Sequence, residues 1–172
     1  MRKSILISLL YLGGIAAKAQ IPQPDPDTTA KHFVIVASIG NLREASDGRL
    51  AEQKAKREDV RGFGQMMVKD HNDAERQLLA LAKIKGFDIS DAATGGIQPD
   101  INLKNAGDNF DELYIHAMAA GHGSTVEMFE NYATVGKDAD VRDFARNTLP
   151  ALKRHLAEIK AIEENQKVQT AR

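Results

Sequence analysis

Residues 58–85 read EDVRGFGQMMVKDHNDAERQLLALAKIK. Val60, Phe63, Met67, Ala74, Leu78 and Leu81 follow one another at steps of three, four or seven, the spacing of one face of an α-helix. Glu58 and Asp59 suit a first turn, where the helix dipole favours negative charge, and Gly86 suits the left-handed stop after the last turn. The stretch predicts a helix over 58–85. His71 interrupts its apolar face: at 100° per residue it lies within about 20° of the line through Val60 and Leu78.

Three more helices are predicted around this one. The first runs from a Thr28-Thr29 cap to about Arg57, with a small-residue stripe of Phe33, Ala37, Gly40, Gly48, Ala51 and Ala55 beside Val36, Ile39 and Leu50. The third runs from Asp108 to about Thr134, presenting Phe110, Tyr114, Ala117, Met118, Gly121, Thr125, Met128 and Tyr132. The fourth opens at Asp138 with Phe144, Thr148, Ala151, Leu152, Ile159 and Ile162, and Pro150 should kink it at the carbonyl of Arg146. Phe87–Gly107 is the one long irregular stretch, in which Ile101 and Leu103 would pack a short helical turn over one end. No strand pattern or internal repeat is present. The expected fold is all-α: an antiparallel four-helix bundle over residues 29–168, with a long linker between helices two and three. An up-down-up-down order is favoured.

The flanks read differently. Arg2 and Lys3, a thirteen-residue apolar run from Ile5 to Ala17, and the small-x-small triplet Ala17-Lys18-Ala19 form an export signal over 1–19. That run is short for a membrane-spanning helix, which needs about 20 residues, so no span is expected once the signal is cleaved. Residues 20–28, with prolines at 22, 24 and 26, read as an extended leader, and 169–172 as a tail.

Of 172 residues none is cysteine. That removes disulfides, thiolate metal sites and cysteine nucleophiles. The formal charge of −1 argues against nucleic acid as a partner. No Ser/His/Asp order, phosphate-binding loop or dinucleotide fingerprint is found, and the reading leans away from an enzyme.

Polar residues on the core faces carry the functional reading. His155 stands within about 20° of Phe144 and Ile162, His122 within about 40° of Met118 and Phe129, and Glu44 on the stripe of the first helix. Glu44, His71, His122 and His155 each fall within about two residues of a helix midpoint, so in an antiparallel bundle they converge at one level. His32 and His116 point roughly 120° away, towards the sides of their helices. Three imidazoles and a carboxylate suit one transition-metal ion, Zn, Cu or Fe. The same four groups would also serve as a hydrogen-bonded network that fixes helix register without any ligand. Met67 and Met118, four residues before His71 and His122, share their faces and would add soft ligands for copper, or else fill core. Asp70, Glu75, Asp111 and Tyr114 would orient the imidazoles, and Asp111 or Glu75 could be a fifth ligand. A lipid-exchange bundle would need a large apolar cavity, and the Ala/Gly stripe argues for close helix contact instead.

The runs Gly40-x3-Glu44-x3-Gly48-Arg-Leu-Ala51, Met67-Val-Lys-Asp70-His71, Phe110-Asp-x2-Tyr114-x7-His122 and Leu149-Pro150-x4-His155 resemble, in order, a large secreted bacterial family known as domain of unknown function 4142. The resemblance covers about residues 30–165. It implies a ferritin-like bundle and a periplasmic or outer-membrane-associated location; an envelope partner belongs to the register-network reading, in which the exposed helix faces would bind it. The resemblance implies no established activity. Members are often labelled predicted outer-membrane proteins, a label that fits poorly with a sequence lacking barrel strands. The sequence also departs from di-iron bundles, which use paired Glu-x-x-His motifs, because it has none. A mononuclear site is the expectation.

Overall fold

The computed structural model describes residues 26–90 and 96–170. The expected signal and most of the leader, residues 1–25, lie outside the described residues. Among the described residues the regular structure is entirely helical: α1 Pro26–Lys54, α2 Glu58–Lys85, the short α3 Ile101–Lys104, a 3-10 turn Gly107–Asn109, α4 Phe110–Val135 and α5 Ala139–Thr170. No described helix is long and apolar enough to cross a membrane.

Local chemistry sets these limits. Helix α1 starts at Pro26, two residues before the expected Thr28-Thr29 cap; a proline fits the first turn, whose N–H groups have no partner within the helix. It ends three residues short of Arg57, which is extended (φ −83°, ψ 135°) and leads into α2. Gly86 adopts φ 68° and closes α2 by donating its N–H to the Lys83 carbonyl, while the Phe87 N–H reaches Ala82. Asp138 caps α5 by accepting from the Val141 N–H at 3.1 Å. The α5 helix runs through Pro150, which is exposed.

The long helices pack in a closed circuit: α1 on α2, α2 on α5, α5 on α4 and α4 on α1. Their apolar residues form two separate clusters. One holds Phe33 and Val34 of α1, Leu78 of α2, Phe129 and Tyr132 of α4, and Phe144 and Leu152 of α5. The other holds Leu50 of α1, Phe63 and Met67 of α2, Tyr114 and Met118 of α4, and Ile159 and Ile162 of α5. Hence α1 and α5 run from the first cluster to the second, and α2 and α4 run from the second to the first. The expected alternation along the chain is corrected: α4 runs parallel to α2. The connecting segment carries Ile89 in the first cluster and Leu103 in the second, so it travels the length of the molecule before α4 begins. Each helix still lies antiparallel to both of its neighbours.

Where α1 and α2 cross, two glycines meet. A Cβ on Gly64 would come within 2.8 Å of the Ala51 Cβ and of the Gly48 carbonyl oxygen, whereas a Cβ on Gly62 would meet nothing within 4 Å. Gly64→Ala should therefore lower stability by about 1–3 kcal/mol through overpacking. Gly62→Ala should raise it by about 0.5–1 kcal/mol, since alanine is the better helix former. Urea unfolding of the two variants checks both signs; equal effects would show that the crossing is not tight. Of the apolar residues expected inside, Ile39 is 41 % exposed, while Val34 and Ala45 are buried instead.

Candidate metal centre

Between the two apolar clusters lies a layer of buried polar side chains: Ser38, Asn41, Glu44 and Asp47 on α1, His71 and Glu75 on α2, His122 on α4 and His155 on α5. All four long helices contribute to it. The three imidazoles face one another, with ring centroids 5.8 Å (His71–His122), 5.4 Å (His71–His155) and 5.4 Å (His122–His155) apart. One ring nitrogen of each lies within 4.8 Å of the others. Glu44 Oε2 stands 2.8 Å from His71 Nε2 and 3.2 Å from His122 Nε2.

The remaining ring nitrogens are all engaged by oxygen. His122 Nδ1 is 3.0 Å from the Met118 carbonyl, which can only accept, so Nδ1 carries the proton. His155 Nε2 donates to Asp70 Oδ2 at 3.0 Å. His71 Nδ1 is 3.1 Å from Asn41 Oδ1, and Asn41 turns its Nδ2 to Glu75 Oε2 at 3.2 Å, which leaves the amide oxygen as the acceptor for His71. Ser38 Oγ steadies Glu75 by donating to Oε1 at 2.6 Å. With one proton on each ring, these bonds place it on His71 Nδ1, His122 Nδ1 and His155 Nε2 and leave lone pairs on His71 Nε2, His122 Nε2 and His155 Nδ1. Those three atoms and Glu44 Oε2 are buried and without a hydrogen-bond partner.

The electrostatics of His122 and His155 favour the neutral ring. Burial pushes the His155 imidazole down to about 4, against the opposing pull of Asp70. Burial likewise lowers His122, partly offset by the charge of Glu44. Burial opposes ionisation of Glu44, yet the hydrogen bond with His71 and the positive charge that the three imidazoles carry when protonated hold its carboxyl below the usual range. Three imidazole lone pairs thus converge in the core, with Glu44 Oε2 against two of them. That set has the atoms to hold a cation.

The other expected residues divide. Asp70 orients His155 and is itself held by Arg154 at 2.6 Å. Glu75 reaches the cluster through Asn41. Met67 is packed in the second apolar cluster; Met118 also lies there and gives its carbonyl to His122. Tyr114 stacks on Phe110 in that cluster, with its hydroxyl buried and its pKa raised by burial and by the charges of Asp47 and Glu44. Asp111 is engaged elsewhere, accepting from the backbone N–H groups of Lys56 (3.1 Å) and Arg57 (2.9 Å) where α2 begins. His32 and His116 are exposed, as expected, and His116 pairs with Glu163. Ser38 and Asn41 were not among the residues anticipated. Their signal was present, because Ser38, Asn41, Glu44 and Asp47 recur every third residue.

Asp47 closes the layer on one side, accepting from the Asp100 N–H at 2.7 Å. Burial raises its carboxyl to about 6. Between pH 4 and 6 the folded state therefore keeps a proton on Asp47 that the unfolded chain has lost, so this group's contribution to stability falls as pH rises. His155 acts the other way: the unfolded chain is protonated below about 6.5 and the folded ring is not, so stability falls on acidification towards 4. The two slopes offset each other. In metal-free protein Asp47→Asn should gain on the order of 2–3 kcal/mol at pH 8, lose that advantage by pH 4, and show a steeper acid decline. Urea titrations across this range test it; parallel pH profiles for the variant and the parent would refute it.

The described residues define an all-helical protein with a three-histidine, one-carboxylate cluster in its core. Residues 16–162 match the family described as Domain of unknown function (DUF4142), and the chain belongs to that family. No curated protein and no solved structure matches it.

Proposed function

We propose that the protein is an exported, ferritin-like antiparallel four-helix bundle that binds one transition-metal ion through Glu44, His71, His122 and His155. The observation that carries this reading is the convergence of four unpartnered buried acceptors, with every other imidazole nitrogen already donating to oxygen. One added proton would satisfy a single carboxylate–imidazole contact and leave two lone pairs orphaned. A divalent cation satisfies all four. Imidazole with carboxylate suits Zn, Cu or Fe, and with no cysteine in the chain thiolate cannot compete. The four long helices packed in a circuit, with a long connection between α2 and α4, support the bundle.

Residues 1–19 support export, and the working location is the periplasm or the outer-membrane surface. The second reading, a register network in a structural module, draws on the 2.8 Å contact of His71 with Glu44, which a protonated ring would turn into an ion pair. Metal analysis of purified protein after exposure to Zn2+, Cu2+ or Fe2+ separates the two. About one tightly held equivalent, and a melting temperature that drops on chelation, are expected. A protein that takes up no metal and melts identically with chelator is the structural module.

A further inference from the structure

Beside the cluster a cleft of about 250 Å³ opens between α1 and α4. Its walls are Val36, Ala37, Met128, Phe129 and Leu152, and at its inner end stand Glu44 and His71. We infer that this cleft admits a small end-on metal ligand, carrying at most one negative charge, to the Glu44–His71 edge of the centre. The inference rests on the metal reading and goes beyond it by assigning the metal an exchangeable position and a route to it.

Three observations restrict the ligand. No lysine or arginine lines the cleft, so a phosphate or multiply charged organic anion would have no counter-charge. Two of the three uncharged polar residues in the wall are already engaged: Asn41 between His71 and Glu75, and Ser124 Oγ with the Ala120 carbonyl; the third is Thr125. The unpartnered atoms at the floor are Glu44 Oε2 and His71 Nε2, which belong to the centre itself. Room beside Glu44 comes from two glycines: a Cβ on Gly121 would stop 3.8 Å from Glu44 Oε1, and one on Gly40 would meet nothing within 4 Å. A ligand arriving here forms a bond from its own lone pair to the metal, displacing at most a water, with no change of oxidation state.

The test uses Co2+-loaded protein and azide, read by the visible d–d spectrum. Azide should shift the spectrum of the parent protein. Gly40→Leu, which fills the cleft and replaces none of the four ligands, should keep the full uptake of Co2+ and weaken azide binding at least about 10-fold, a difference of roughly 1.4 kcal/mol. Thr125→Leu narrows the opposite wall and should act alike, so one poorly folded variant does not leave the test open. Co2+ uptake with no azide response, or azide binding unchanged in both variants, overturns the cleft and leaves the metal reading standing. Failure to take up Co2+ overturns both.

Discussion

His122→Leu is expected to abolish metal binding while leaving the metal-free protein at least as stable as its parent, within about 1 kcal/mol. His122 is fully buried, and its Nε2 faces Glu44 Oε2 at 3.2 Å with no hydrogen between them in the tautomer that Met118 imposes. Leucine removes that acceptor-to-acceptor contact and fills similar space. In the parent, metal at about 100 times its dissociation constant should add roughly 2.7 kcal/mol, some 5–10 °C in melting temperature, and the variant should lose the whole of that increment. Calorimetry with and without chelator reads both quantities. A register network predicts the reverse: the variant would lose 1–3 kcal/mol without any metal present, because Glu44 would lose a partner. That outcome would sink the metal centre.

Phe63→Ala carries the largest expected loss of stability, about 3–5 kcal/mol. The ring is 1 % exposed and sets its edge or face against Tyr114, His122 and His155, with centroids 6.3, 6.3 and 6.5 Å away. It closes the centre from the side of the second apolar cluster, so the variant should also hold metal more weakly while keeping the same stoichiometry. Phe33→Ala makes the comparison. Phe33 stacks on Tyr132 at 4.1 Å in the other cluster, away from the imidazoles, so its loss should lower stability and spare metal affinity. Urea unfolding and a metal competition titration of both variants decide the matter; equal affinities would show that Phe63 only packs.

Much of this was readable from local pattern. The bounds of α2 follow from its acidic first turn and Gly86, and the shared level of His71, His122 and His155 follows from azimuth combined with depth. Azimuth alone misled. Asp111 has nearly the bearing of His122 but lies eleven residues earlier, roughly 16 Å along the axis at 1.5 Å per residue, and it caps another helix instead. Met67 and Met118 are one turn from their histidines, far enough to fall in the apolar cluster. The end of α1 was misplaced because Asp111 holds the N–H groups of Lys56 and Arg57 from a distant helix, a contact that no local signal records. The direction of α4 depends on where Ile89 and Leu103 dock, and their own neighbours in sequence do not specify it. Ser38 and Asn41 repeat at the same three-residue interval as Glu44 and Asp47, but a hydroxyl and an amide support the cluster through Glu75 and His71 and are not themselves ligand-type groups.

The division of the interior into two apolar halves has a mechanical consequence. Helices packed through a uniform greasy seam can slide past one another, since one rung of leucines resembles the next. Here a slip of one turn, about 5.4 Å, would drive Glu44 among Phe63 and Tyr114 or among Phe33 and Phe129, and would strand three imidazoles. Lengthwise motion is blocked at the waist of the molecule. Whatever yielding the fold retains is left to its two ends.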